Sequence, residues 1–186
     1  MKVLFYCTSI KKLNLNEYVK LHKETNGWID EWKQKIVCEV EIDKVEEIVA
    51  TKWDVGCGCA YYQFKTKDLL QKSCLRYIDL NDYLDRNNGY ALHLSNVKVF
   101  DKPKNVFEYD VKPKPFKTFD GYYITNITYS CTKAPQNMCN VYDNQGNHYV
   151  LISINPQHLC NILNGEKTIE VRKKILNCMK GLIAND

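Results

Sequence analysis

Residues 150–174 constrain the fold of this chain more than any other stretch. Their sequence is VLISINPQHLCNILNGEKTIEVRKK. Residues 150–154 form a continuous apolar and β-branched run, which predicts a buried strand. Pro156 suits the first position of a helix, and Gly165 can adopt the left-handed conformation that ends one. The stretch therefore predicts a strand, a short helix, a tight turn and a second strand.

The second of these strands, residues 167–172, carries an unusual pattern of charges. Ile169 and Val171 alternate with Glu170 and Arg172, so the apolar pair and the charged pair lie on opposite faces. A half-buried strand with a glutamate and an arginine on its open face is a candidate ligand-contact edge. The alternatives are that these charges only solvate an exposed face, or that they form an internal ion pair that fixes the edge.

The rest of the chain predicts further strands and a few short helices. Strands are expected at residues 3–8, 35–42, 61–64, 90–100 and 122–129, a helix at 77–87, and a connecting helix or turn at 43–50. About six strands and three short helices in mixed order indicate an α+β protein. We expect a small mixed β-barrel, or a strongly bent sheet, with short peripheral helices.

The length and composition favour one domain. The chain has 186 residues, of which 45% are hydrophobic, and this is enough for one core. We expect a single barrel over residues 1–175, polar insertions at about 9–33 and 53–74, and a C-terminal tail at 176–186 that is frayed from residue 180. The net charge of +4 permits nucleic-acid binding but does not argue for it alone.

Nine cysteines are scattered along the chain, several of them inside apolar strands. We expect most to be reduced, buried side chains in a cytoplasmic protein, because the chain shows no secretory signal and no apolar run of membrane-spanning length. Cys57 and Cys59 are spaced too closely for a structural zinc site. A set of Cys131, Cys139 and His148 has no specific spacing. We therefore expect no metal and no cofactor.

A family resemblance enters at the C-terminal segment. Ser153-Ile154-Asn155-Pro156 is followed by Gly165, Lys167, Glu170 and Arg172 at the spacing Gly-x-Lys-x-x-Glu-x-Arg. This pattern resembles the signature of the ASCH domain, a PUA-like β-barrel. Weaker similarity to the same family runs through most of the upstream chain.

The order of the resembling segments is unusual, because the signature normally comes first in the family and here comes last. A circular permutation accounts for this order if residues 149–172 pair back beside residues 1–8. The other explanation is a complete domain at 1–147 followed by the start of a second. We favour permutation, because residues 1–147 contain no element of the form Gly-x-Lys-x-x-Glu-x-Arg.

The resemblance implies binding of RNA or a modified nucleoside in a charged cleft. The implied ligand-binding residues are Lys167, Glu170, Arg172, Lys173, Glu39, Thr8 and Ser9, with Tyr6 or Tyr90 stacking on a base. The cations suit a phosphate or a carbonyl, and a carboxylate can accept a hydrogen bond from a base amine.

Two other functions stay open. Some ASCH-like proteins are amidohydrolases that use a threonine three residues after the lysine, where this chain has Glu170. A hydrolase, acting on RNA or on an acylated nucleoside, would use Lys167 and Glu170 as its catalytic acid–base pair. The other hypothesis is an accessory protein from a phage or bacterium that acts through a protein partner. It predicts an exposed apolar patch around Trp28, Trp32 or Trp53.

Overall fold

The computed structural model describes residues 1–8, 15–25, 27–54, 56, 59–111, 116–117, 123–124 and 138–183. Within these ranges the strands are β1 (Lys2–Cys7), β2 (Ile36–Asp54), β3 (Cys59–Gln63), β4 (Gly89–Lys104), β5 (Asp110–Val111), β6 (Phe116–Lys117), β7 (Tyr123–Ile124), β8 (Met138–Tyr142), β9 (His148–Ile154) and β10 (Ile169–Arg172). The helices are α1 (Leu15–Glu24), α2 (Ile29–Trp32), α3 (Leu69–Ser73), α4 (Tyr77–Leu84) and α5 (Pro156–Leu163). Two 3-10 helices cover Val106–Glu108 and Asn177–Leu182.

Seven of the strands form one mixed sheet in the order β10-β4-β2-β1-β9-β8-β5, and β3 pairs with the C-terminal part of β2. β1 runs parallel to β9, with Val3 opposite Val150, and the other neighbours are antiparallel. The α+β class is thereby confirmed, and residues 150–154 pair beside residues 3–7. Residues 169–172 pair with β4 instead, so only the first strand of residues 149–172 lies beside the N-terminal strand. β10 and β5 are the two ends of the order and do not pair with each other. Among the described strands a closed barrel is therefore not confirmed.

The long strand β2 overturns one prediction. Residues 43–50 are not a connecting helix or turn, because β2 continues through them to Asp54. Val45 and Ile48 are both fully buried, but in different apolar clusters on opposite faces of the strand. Their spacing of three therefore imitates a helical pattern, although each residue faces a different core.

The apolar core has three parts. The first cluster includes Val3, Phe5 and Leu92, together with buried residues of β2, β9 and α5. The second cluster lies around β3, α3, α4 and β10, and the third includes Leu4 from the opposite face of β1. Both faces of β1 are thus buried, which explains its uninterrupted apolar sequence.

Helices α4 and α5 pack in different apolar clusters. α4 buries Leu80 and Leu84 in the second cluster, which also contains Ile169 and Val171 of β10. The buried side chains of α5 belong to the first cluster. α5 begins at Pro156, and Gly165 follows it with a φ of 76°, as the sequence predicts. β10 therefore shares an apolar cluster with α4.

The segments expected to be polar insertions or a frayed tail contribute to the core. Ile29 and Trp32 are buried within the first predicted insertion, and Leu69 is buried within the second. In the predicted tail, Met179 is fully buried and Ile183 forms a β-bridge with Val45. Apolar residues spaced along these polar segments therefore anchor them to the core.

A buried carboxylate holds the loop that leads into α3. Glu46 accepts hydrogen bonds from the amides of Lys65 (2.5 Å) and Thr66 (2.8 Å), and from the Thr66 hydroxyl (2.5 Å). His93 Nε2 lies 3.3 Å from the same carboxylate. These contacts fix the start of α3, whose far end contacts the candidate site. Across the described residues, no helix has the length and apolar character needed to traverse a membrane.

Candidate functional site

Three charged residues of the signature converge at the edge of the sheet. The Lys167 ammonium lies 3.2 Å from Glu170 Oε2, and Arg172 Nε lies 2.9 Å from Glu170 Oε1. The exposed fractions of the three side chains are only 2%, 8% and 13% in chain order. We call Lys167, Glu170 and Arg172 the edge triad.

The backbone before β10 is held so that Lys167 points inward. The Lys167 amide donates to Asn161 O at 2.9 Å, and the Thr168 amide donates to Lys72 O at 2.9 Å. The Lys167 ammonium also donates to Ser73 O, the last carbonyl of α3, at 2.6 Å. A cation at the end of a helix is electrostatically favourable, so α3 and α5 together position this lysine.

Arg172 connects two strands that are distant in the sheet order. Its Nη2 donates to Ser153 O on β9 at 2.6 Å. Strands β4, β2 and β1 separate β10 from β9, so in a flat sheet the two would lie about 19 Å apart. One side chain reaches across only because the sheet bends strongly, and register shifts along the β2–β4 pairing provide local points of bending.

The edge triad carries more positive than negative charge. Burial alone would raise the pKa of Glu170, but the charges of Arg172 and Lys167 hold it below its ordinary value. Glu170 is thus ionised at neutral pH and shared by two cations. No second carboxylate among the described residues lies within ion-pair distance of Lys167 or Arg172. A net unit of positive charge in a poorly hydrated site favours a bound anion.

His158, on α5, adds a neutral group to this site. Burial and the charge of Lys167 lower the pKa of its ring, so the ring is uncharged at neutral pH. Its Nδ1 atom is buried and has no hydrogen-bond partner within the described ranges. Buried ring nitrogens are normally paired, so this atom marks a place where the internal network is incomplete.

Tyr83, on α4, forms the rim of the site. Burial raises the pKa of its hydroxyl, the nearby charge of Arg172 opposes that rise, and the residue is 40% exposed. The Lys173 ammonium lies 5.6 Å from the centre of the Tyr83 ring. An exposed aromatic face next to a cation is a suitable surface for a stacked base.

Other predicted site residues lie elsewhere. Glu39 is opposite Leu4, on the face of the third cluster, and pairs with the Lys2 ammonium at 2.9 Å. Glu170 is opposite Leu92 of the first cluster, so Glu39 and Glu170 belong to opposite faces. Tyr6 is buried in the third cluster. The structure therefore does not bring Glu39 or Tyr6 to the edge triad.

Of the remaining predicted positions, some lie closer to the edge triad than others. Thr8 donates to Asn155 Oδ1 at 3.2 Å, just before α5, and Ser9 lies outside the described residues. Tyr90 lies directly opposite Arg172 on β4, so it is nearer to the edge triad than Tyr6 is. Lys173 is exposed at the rim.

Sequence reasoning did not select Tyr83 or His158. Tyr83 falls at helical spacing between apolar residues, and His158 lies in a helix selected for its apolar face. The spacing of residues within α4 and α5 does not show which segments these helices contact. The sequence alone therefore provided no reason to select Tyr83 or His158.

The cysteines considered for a metal site cannot be placed together here. Cys57, Cys131 and the side chains of Cys59 and Cys139 lie outside the described residues. Within the described part of the chain, no three His, Cys, Asp or Glu side chains are grouped so that they could hold a metal ion.

Comparisons with known proteins add no relative. No family model, curated protein or solved structure matches this chain. The resemblance to the ASCH domain therefore rests on the signature residues and their spacing.

Proposed function

We propose that the chain binds RNA or a modified nucleoside at the edge triad, as a PUA-like protein of the ASCH type. The observation that carries the proposal is the unbalanced positive charge of the edge triad beside the exposed ring of Tyr83. A nucleic acid offers both complements to such a site, because it has an anionic backbone and flat bases.

The buried and the exposed cations of the site have different roles in binding. Lys167 and Arg172 already donate to Ser73 O and Ser153 O, so they supply the positive field and hold the site rigid. Lys173 is exposed at the rim, so its ammonium contacts a phosphate directly. A phosphodiester carries one negative charge, which matches the net charge of the edge triad.

The Tyr83 ring supplies the stacking surface. The ring is partly buried beside Arg172 and Lys173, which restricts its orientation before a ligand arrives. Stacking of one base on such a ring contributes about 1–3 kcal/mol. His158 lies deeper, close enough to the edge triad for their charges to influence its ring.

Two features support a PUA-like barrel for this fold. The five strands from β10 to β9 bend far enough for Arg172 to bridge the two ends, and the first cluster fills the concave side. In addition, β9, α5 and β10 form the signature unit, and β9 lies beside β1 as a permuted chain requires.

The hydrolase alternative has weaker support. Lys167 and Glu170 are close, but each is less than 10% exposed. The lysine ammonium is held by both Glu170 and Ser73 O. A proton-transfer pair must reach a substrate atom, and this arrangement serves positioning better. Turnover of RNA or of acetylated cytidine that disappears in both Lys167→Ala and Glu170→Ala, with folding intact, would support the enzyme instead.

The proposal is tested by fluorescence anisotropy with a labelled RNA oligonucleotide at about 50 mM and about 200 mM salt. We expect salt-sensitive binding that Tyr83→Ala weakens about tenfold, while Tyr83→Phe, which keeps the ring, retains most of the affinity. Lys173→Ala should reduce the salt slope by about one, and Lys52→Ala, at an exposed position outside the site, should leave it unchanged. Calorimetry with cytidine, adenosine and their acetylated or methylated forms covers the nucleoside ligand.

A triple variant separates binding from stability. Replacing the edge triad by Met, Leu and Met leaves no unpaired buried charge, so the protein should still fold. The carbonyls of Ser73 and Ser153 lose a donor, which costs about 1–3 kcal/mol each. The variant should also lose RNA binding. Equal RNA and nucleoside binding by this variant and the original protein would show that the edge triad has only a structural role.

A further inference from the structure

The second half of β4 has no described strand on one of its two sides. β4 pairs with β2 along most of its length on one side, whereas on the other side β10 covers only the residues from Tyr90 to His93. No described strand pairs with the outer side of residues 95–104, which we call the open edge. A free edge presents a row of backbone N–H and C=O groups that can pair with another extended chain.

An apolar cavity of about 240 Å³ lies beside the open edge. Trp28 and Trp32 of the α2 region, Leu163 of α5 and Val99 of the open edge form its apolar walls. Trp28 is 58% exposed, and Val97 and Val99 are 39% and 42% exposed. The cavity is below the usual size of a site for a drug-sized ligand, but it suits one large apolar side chain.

The open edge is basic. It carries Lys98, Lys102 and Lys104 and only one acidic residue, Asp101, so its net charge is +2. Two copies of this edge would bring lysines together, and Pro103 also hinders pairing between copies. The charges therefore favour an acidic partner and oppose self-association.

We propose that an acidic, extended segment of a partner protein adds to the open edge as a further strand and places an apolar side chain in the cavity beside Trp28. Main-chain hydrogen bonds along the edge supply affinity, and the cavity and the lysines supply specificity. A nucleic acid could meet the lysines, but it has no backbone that pairs in register with a strand. This surface is separate from the edge triad, so its function does not depend on RNA binding.

The test uses a fluorescein-labelled peptide, Ser-Glu-Val-Glu-Phe-Glu-Val-Glu-Ser, together with a set that varies the central residue. Anisotropy should show binding to the whole protein, strongest with a large apolar central residue. Trp28→Ala should weaken binding at least about fivefold, whereas Tyr61→Ala, which removes an exposed aromatic on β3, should not. Lys98→Glu with Lys102→Glu changes the net charge of the open edge from +2 to −2, so it should weaken binding further and reverse its dependence on salt.

The decisive control is the same peptide with N-methyl groups on alternate residues, which removes donors on one side without changing charge or side chains. We expect its binding to be lost. Equal binding of the methylated peptide, or no binding by any member of the set, overturns strand addition. Displacement of the peptide by uridine-rich RNA would make RNA the occupant and overturn it too. Tyr83→Ala should leave peptide affinity unchanged, so the two proposals can fail separately.

Discussion

Replacing Glu170 by glutamine tests the central electrostatic argument most directly. The change keeps the shape of the side chain but removes the charge that Lys167 contacts at 3.2 Å and Arg172 at 2.9 Å. All three side chains are at least 87% buried, so water cannot replace the lost partner. Removing one partner of a buried ion pair costs about 3–5 kcal/mol. The amide oxygen still accepts from one cation, so we expect the lower end, about 3 kcal/mol.

Urea unfolding at about pH 7, followed by circular dichroism, measures this loss of stability. With a slope of about 2 kcal/mol per molar urea, the midpoint should fall by about 1.5 M. Glu166→Gln is the matched control, because Glu166 is exposed in the turn before β10. It should change the free energy of unfolding by less than about 0.5 kcal/mol.

The dependence of stability on pH provides a second measurement. Because the pKa of Glu170 is lowered in the folded state, its contribution is complete above the ordinary carboxyl value of about 4.3 and is lost as the pH falls through the lower, folded-state value. The pKa of His158 is also lowered, so stability is lost as the pH falls below about 6.5, where the unfolded state binds the proton first. Glu170→Gln should remove the loss of stability that Glu170 causes at the lower pH, and should leave the loss that begins below about pH 6.5. A midpoint equal to that of Glu166→Gln, or an unchanged acidic limb, would refute the reasoning.

Two further predictions concern packing and thiol reactivity. Gly89→Ala should cost about 1–3 kcal/mol, because its Cβ would lie 2.6 Å from the buried Leu84 side chain, whereas Gly181→Ala, with no atom within 4 Å, should be nearly neutral in urea unfolding. Burial raises the pKa of the Cys7 thiol to about 12, so iodoacetamide at about pH 8 should modify Cys7 only after unfolding, as read by mass spectrometry of its peptide. The exposed Cys178 should react in the folded protein, and equal labelling of both would contradict the burial.

The signature unit could be predicted because its signals are local. The apolar run of β9, the Pro and Gly that bound α5, and the alternation of β10 each depend on a few neighbouring residues. The convergence of Lys167, Glu170 and Arg172 follows from that alternation and from the turn before β10.

The rest of the site depends on contacts between distant segments. Glu39 has the same alternating pattern as Glu170, but alternation does not state which face of one strand meets which face of another across a bent sheet. Tyr83 enters the site because α4 packs on β10, and nothing in the spacing of α4 records that partner. For residues 43–50, two buried faces of one strand produced a pattern that local reasoning assigns to a helix.

The position of β1 has a consequence for synthesis of the protein in a cell. Val3 lies opposite Val40 on one side and opposite Val150 on the other. A ribosome that adds about 5–20 residues per second needs roughly 7–30 s to make the chain between Val3 and Val150. During that interval β1, which has two apolar faces, lacks its partner β9, so the nascent chain is prone to aggregate. We therefore expect the yield in cells to depend on translation speed and chaperone supply more strongly than refolding of the finished chain does.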